Sequence, residues 1–298
     1  MSTRRTFLTA GAAVAVGALG TAGTAAASPS ATAGLRGRLR RLERAHDARI
    51  GAYGHNLRTG AIAAYRADEL FPMCSVFKTL AAAAVLRAFG SGERALSRTV
   101  RYNQADIDRA GYSPVTSLPG NLADGMTIGE LCAAALSHSD NTAANLLLAE
   151  VDGPAAVTRL CRALGDPVTR LDRWESELNS AEPWRREDTT SPRAVTDTYR
   201  RLLLGTALDG EGRTLLGTWL RRNTTNGDTF RAGLPADWVL ADKTGSGEYG
   251  TRNDVGVAWT STGTPIALAV LTTHTDAAAR PDNALVAATA AHLAAALT

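Results

Sequence analysis

Of the 32 basic residues in this chain, only Lys78 and Lys243 are lysines; the other cations are arginines. Arginine keeps its proton at any working pH, whereas burial can push a lysine towards neutrality so that it exchanges protons. Each lysine lies in a short pattern with a hydroxyl close by, Ser75-Val-Phe-Lys78 and Lys243-Thr244-Gly245. A coding bias towards arginine accounts for the scarcity of lysine but not for these two placements. Ser75 and Lys78 are three residues apart, where an apolar helix is predicted to begin, so they share a helix face. The Ser75 N–H is then one of the unpaired donors of a helix start, where developing negative charge is favoured. A hydroxyl beside an ammonium in apolar surroundings is the plan of an activated nucleophile. Taken alone, S-x-x-K is a weak pattern that chance can supply.

Two further patterns carry chemistry of the same kind. Ser139-Asp140-Asn141 precedes a helical run and reads structurally as a Ser/Asp cap. Functionally, Ser139 offers a second hydroxyl for passing a proton and Asn141 an amide for holding substrate. Lys243-Thr244-Gly245-Ser246-Gly247 ends a predicted strand, and glycine there lets a ligand approach the backbone. It is not a phosphate loop, which needs G-x-x-x-x-G-K-[ST]. Such an edge would bind an anionic group beside Lys243 and offer the Ser246 N–H to an oxyanion.

The elements that must position these residues follow from the hydrophobic pattern. Arg49–Arg66 alternates about a turn at Arg58-Thr59-Gly60 and predicts a β-hairpin. Ser75 to Phe89 is nearly uncharged, hence a buried helix. Helical spacing recurs at Thr127–Leu136, Asn141–Val151, Pro154–Leu164 and Pro192–Leu204. Between Asp172 and Ser191 runs a long charged loop, and loops of that length tend to be functional. Strands are predicted at Trp238–Thr244, Asn253–Thr260 and Pro265–His274, and a helix over Asn283–Leu297. The order predicts an antiparallel sheet assembled from both chain ends around a helical insert.

Composition narrows the class of function. Residues 1–27 read as an export leader: Arg4-Arg5, an apolar middle and a small-residue cleavage site at Ala25-Ala26-Ala27. The paired arginines resemble a twin-arginine signal, with an ordinary secretory leader as the alternative. The apolar run is too short to span a bilayer, so a secreted or periplasmic protein without stable membrane insertion is expected. Without Arg4 and Arg5, thirty basic residues face 29 acidic ones, a balance that gives no nucleic-acid footprint. Cys74, Cys132 and Cys161 form no paired framework and are expected to be free thiols. The five histidines form no zinc motif, and no metal or cofactor is expected.

Together, S-x-x-K, S-D-N and K-T-G resemble the set found in the β-lactamases and penicillin-binding proteins. The likeness extends to class A β-lactamases at Tyr112-Ser-Pro-Val-Thr116, Asp124-Gly-Met-Thr127, Ser139–Leu148, Val168–Asn179, Asp188-Thr-Thr and Ala236-Asp-Trp238. It covers essentially the whole chain after the leader. The resemblance implies an α/β fold: an antiparallel five-stranded sheet flanked by helices, plus an all-helical domain. Residues 28–74 and 219–298 would form the α/β part of a single β-lactamase domain over 28–298, and 75–218 the helical part. It also implies a monomer acting on a small-molecule β-lactam.

Carried over residue by residue, the resemblance makes Ser75 the nucleophile and Lys78 a helper in removing its proton. The N–H groups of Ser75 and Ser246 hold the oxyanion, and Ser139 relays a proton to the leaving nitrogen. Glu175 and Asn179 hold the water that hydrolyses the acyl-enzyme; whether Lys78 or Glu175 is the acylation base stays open. Lys243, Thr244 and Arg252 meet the substrate carboxylate, with Gly245 beside them. Asn141 binds substrate and Tyr112 stacks on it. Asn145 supports the glutamate loop, and an Arg173–Asp188 pair closes it. Ser176 departs from the family, where proline is common and the preceding bond often cis; before serine a cis bond costs roughly 3 kcal/mol, which leaves the isomer open. Ala82 and Gly247 stand where some members carry cysteine partners for Cys132 and Cys74, so no disulfide and no carbapenem hydrolysis are expected. The rivals are a DD-peptidase and a penicillin-sensing domain that stays acylated; neither has a use for Glu175.

Overall fold

The computed structural model describes residues 29–298, with side chains from 34 onward, so the leader expected over 1–27 lies outside the described residues. Helix α1 (Pro29–His46) leads into strands β1 (Arg49–Asn56) and β2 (Ile62–Tyr65). The turn between the strands is built by Asn56, whose side-chain oxygen accepts from the Arg58 and Thr59 N–H groups at 3.0 and 3.1 Å. Gly60 closes it at φ 76°. This is the hairpin that the alternation predicts.

The helical insert comprises α2 (Phe77–Phe89), α3 (Gln104–Ala110), α4 (Ile128–Ser137), α5 (Asn141–Ala149) and α6 (Ala155–Ala163). Next come α7 (Pro192–Leu204) and α8 (Gly210–Arg221), then strands β3 (Val239–Ser246), β4 (Arg252–Trp259) and β5 (Pro265–Thr273), and helix α9 (Asn283–Leu297). Every residue of α2 from Phe77 to Leu86 is buried, which is why its sequence shows no polar face. Helix α8, capped by the Asp209 side chain on the Gly212 N–H, runs through position 219. The division expected at 218/219 therefore falls inside a helix.

The five-stranded sheet has the order β2-β1-β5-β4-β3, all antiparallel. Its central pairing joins the two ends of the chain, from Arg49 opposite Thr273 to Asn56 opposite Ile266. Successive strand residues face opposite sides, and β5 divides accordingly. Ile266, Leu268 and Val270 enter a core with Leu35 and Leu39 of α1 and Leu285, Leu293 and Leu297 of α9. Ala267, Ala269 and Leu271 enter a second core with Val195 and Tyr199 of α7 and the body of α2. The chain ends are also fastened directly: His46 Nδ1 lies 2.6 Å from Asp282 Oδ2, and Asn56 Nδ2 donates to the Leu297 carbonyl at 2.9 Å. Strand β3 is left at the edge of the sheet, facing the helical insert. Cys74, Cys132 and Cys161 are free and buried. Among the described residues no helix is long and apolar enough to cross a membrane.

Candidate active site

The cleft between edge strand β3 and the helical insert gathers the residues whose chemistry the sequence singles out. Ser75 sits on a single 3₁₀ turn, Cys74–Val76, that feeds α2 and puts Lys78 in the helix's first turn. The turn is held from two sides. Asn253 Nδ2 on β4 donates to the Pro72 and Met73 carbonyls at 2.9 and 3.2 Å, and the Tyr199 hydroxyl on α7 donates to the Val76 carbonyl at 2.8 Å. Gly245 crosses directly over it: a Cβ on Gly245 would lie 2.8 Å from the Met73 carbonyl oxygen and 3.3 Å from the Ser75 nitrogen. Only glycine allows the edge strand so close to Ser75. Ser246 follows it at the end of the strand, opposite Arg252.

Asp140 does more than cap α5. One carboxylate oxygen accepts from the Ala143 N–H at 2.8 Å, and the other from the Val115 and Thr116 N–H groups, both at 2.9 Å. The Tyr112–Thr116 loop is thereby tied to the start of α5. Asn141 N–H donates to the Tyr112 carbonyl at 2.8 Å, and Asn141 Nδ2 to the Ala110 carbonyl at 2.9 Å. The Tyr112 ring stands exposed at the mouth of the cleft. Ser139 occupies the preceding turn in the left-handed region, at φ 59°.

Both lysines are fully buried. Lys78 Nζ donates to the Ser139 carbonyl at 2.7 Å, the Asn141 side-chain oxygen at 2.6 Å and Ser139 Oγ at 3.3 Å. It also forms an ion pair with Glu175 Oε1 at 3.1 Å. Lys243 Nζ approaches the same hydroxyl from the other side, 3.0 Å from Ser139 Oγ, so Ser139 bridges two ammonium groups. Burial pushes the Lys78 pKa down, with Glu175 opposing. Burial, Lys78 and Arg252 together drive the Lys243 pKa well below the ordinary value, against Asp254 and Asp242. Two lysine side chains around one hydroxyl, each with its pKa lowered by burial, make a route by which a proton can pass.

Glu175 is brought to Ser75. Its Oε1 lies 3.3 Å from Ser75 Oγ, and its Oε2 accepts from Asn179 Nδ2 at 2.5 Å. Asn145 grips the backbone on both sides of the residue, accepting from the Glu175 N–H at 3.0 Å and donating to its carbonyl at 2.8 Å. The Glu175–Ser176 peptide is cis. The ends of the loop are pinned by Arg173 Nε, 2.6 Å from Asp188 Oδ2, while Asp188 Oδ1 accepts from the Asp172 and Arg173 N–H groups at 2.8 and 3.0 Å. Replacing Arg173 with Ala strands a nearly inaccessible carboxylate. A loss of about 2–4 kcal/mol in unfolding free energy is expected, to be read from urea denaturation.

Arg252 lies across β3, its Nη2 donating to the Thr225 carbonyl at 3.0 Å and its Nε buried without a protein partner. Thr225 also touches the Thr244 hydroxyl. An Arg252 with an unused donor, Thr244 and Lys243 together suit a carboxylate. Thr225 and Asn253 escape sequence reasoning, since a lone Thr or Asn in an unremarkable context carries no signal. Among the described residues no three His, Cys, Asp or Glu side chains group as a metal-ligand set.

Comparison with known proteins gives the chain's family. A sequence profile described as the beta-lactamase enzyme family matches residues 34–297. A β-lactamase of Streptomyces fradiae is 57% identical over 255 residues, covering 86% of this chain and 83% of the other. One of Streptomyces lavendulae is 53% identical over 296 residues, covering 99% and 97%. The solved β-lactamase structure from Streptomyces albus G superposes with a TM-score of 0.87 at 57% identity, covering 89% of this chain and all of that one. The chain belongs to the β-lactamase enzyme family.

Proposed function

We propose that the chain is an exported, monomeric class A serine β-lactamase. It opens the ring of penicillins and some cephalosporins through an ester on Ser75 and frees that ester with water activated by Glu175. Ser75 Oγ attacks the lactam carbonyl, and its proton leaves to Lys78 or Glu175, both within hydrogen-bonding range of the reacting group or of each other. Burial favours a neutral Lys78, which fits it to accept a proton. The N–H groups of Ser75 and Ser246 receive the developing oxyanion. Ser139, bridged by two lysines, hands a proton to the departing ring nitrogen.

Lys243, Thr244 and Arg252 hold the substrate carboxylate, while Asn141 and Tyr112 orient the rest of the molecule. Glu175, steadied by Asn179 and Asn145, then directs water at the ester. The observation that carries this reading is the 3.3 Å approach of the Glu175 carboxylate to Ser75 Oγ. A transpeptidase or a penicillin sensor needs the nucleophile and the lysines but has no role for that carboxylate. Replacing Lys243 with Ala is expected to raise KM about 10–100-fold with a smaller effect on kcat, the share of one charge-assisted contact. Unchanged kinetics would remove it from the site.

The test of the whole reading is a chromogenic cephalosporin mixed with the mature protein, with colour and covalent mass followed together. Sustained colour with little lasting adduct identifies a hydrolase. A single burst followed by a stable adduct identifies a sensor or peptidase and overturns the proposal. The export part is tested by expressing the full chain and finding activity outside the cytoplasm only when Arg4 and Arg5 are intact.

A further inference from the structure

A second cavity of about 290 Å³ lies on the far side of Glu175, between α3, α5 and the segment Trp174–Glu177. That is near the lower end of the range for small-molecule pockets, about 300–1,000 Å³, with room for one ring and a short chain. Ser75, Lys78, Ser139 and Lys243 are absent from its walls, so it is separate from the nucleophile's cleft. It shares a wall with that cleft, because both Asn145 and Glu175 line it.

The chemistry of the walls is specific. Leu146 and Ala149, three apart on one face of α5, make an apolar floor. Trp174, 37% exposed, forms one side. Two carboxylates stand at the rim, Asp106 and Glu177, against a single guanidinium. That guanidinium, on Arg109, is largely solvated and comes no nearer than 3.9 Å to Asp106. The Glu177 carboxylate makes no hydrogen bond or ion pair among the described residues. An indole ring and a carboxylate without a protein partner lining one cavity over a hydrocarbon floor are complementary to a cation with an apolar body.

We propose that this cavity binds a compact organic cation of the arylalkyl-ammonium or amidinium class, and that its occupancy slows release of the acyl group. The hydrocarbon part lies on Leu146 and Ala149, and the charge sits between Glu177 and the Trp174 ring. Such an occupant touches Trp174, which precedes Glu175 in the chain, and Asn145, which holds Glu175's backbone. Any preference of the ligand for one placement of that backbone is thus felt at the carboxylate. The binding half stands on the cavity alone. The kinetic half rests on Glu175 as the deacylating group.

The experiment titrates phenethylammonium into the mature protein by calorimetry, with 2-phenylethanol and phenylacetate as the neutral and anionic counterparts. The cation is expected to bind at least tenfold more tightly than either. Glu177→Gln, a change at an exposed position, erases that preference, and Ala149→Phe, which fills the floor, weakens all three. Equal binding of the three probes, or an unaltered preference in Glu177→Gln, overturns the site. At saturating cation the pre-formed penicilloyl adduct is expected to decay at least threefold more slowly, with the acylation rate unchanged. Unchanged decay, or a slowed acylation that marks the probe as sitting over Ser75, overturns the coupling. A protein that forms no adduct with penicillin in the absence of the probe refutes the role given to Ser75 and Glu175 and leaves the calorimetric test standing.

Discussion

Glu175→Ala is expected to leave penicillin labelling of Ser75 intact while turnover falls by roughly 10²–10⁴, the usual worth of a positioned base. The reason lies in how the two halves of the reaction are supplied. Acylation needs a group to take the Ser75 proton, and Lys78 remains close by, anchored to the Ser139 carbonyl and to Asn141. With the Glu175 carboxylate gone, burial acts on Lys78 against the weaker pull of Asp140 and moves it further towards neutrality. Deacylation has no such substitute, because no other carboxylate approaches Ser75 Oγ among the described residues. The adduct should therefore persist for intact-mass measurement. Normal turnover by the variant would remove Glu175 from the mechanism. A labelling rate that fell as far as turnover would make Glu175 the acylation base as well.

Ser75→Ala should abolish the covalent adduct altogether and lower turnover on the order of 10⁶-fold, as removal of a nucleophile does elsewhere. The rest of the cleft is expected to survive this change. The nucleophile turn is held through backbone carbonyls by Asn253 and Tyr199, not through the Ser75 side chain. Lys243, Thr244 and Arg252 keep their own partners. Penicillin should still bind reversibly and raise the melting temperature progressively, as the logarithm of its concentration above Kd. An adduct on the variant at any residue would show that a different nucleophile operates.

Much of this was legible in the residues, and for definite physical reasons. The hairpin at residues 49–66 shows apolar alternation about a turn with an obvious glycine. Helix α9 shows an alanine- and leucine-rich run without Asp, Glu, Lys or Arg, and α2 betrays its burial by carrying no charge but Lys78 before Arg87. Helix α8 is missed because its glycines and arginines blur the apolar spacing, and α3 because a seven-residue helix gives too little periodicity. Each catalytic pattern is local, so its spacing can be read along the chain.

What brings those patterns together is not local. Glu175 lies 100 residues from Ser75, and Lys243 lies 104 from Ser139. Only the likeness to a known family joined them before any geometry was at hand. Asn253 and Thr225 support the site through backbone carbonyls on distant segments, and nothing in their own neighbourhoods marks them. The cavity behind Glu175 is a further step removed, since it exists only between three elements and belongs to none of them.

The pairing of the first strand of the sheet with its last has a consequence for synthesis. Residues 49–56 can pair with β2 early but cannot find their β5 partners until residues 266–273 have left the ribosome, and the clasp from Asn56 waits for residue 297. Folding therefore follows translation, with contacts of the longest reach made last and slowly. Until then the nascent hairpin exposes an unmatched edge, open to stray pairing. A nonsense codon within the final helix would leave all five strands but remove the Asn56 clasp and part of the cover that Leu293 and Leu297 give one face of the sheet, and its product should reach the cell's proteases with that face bare.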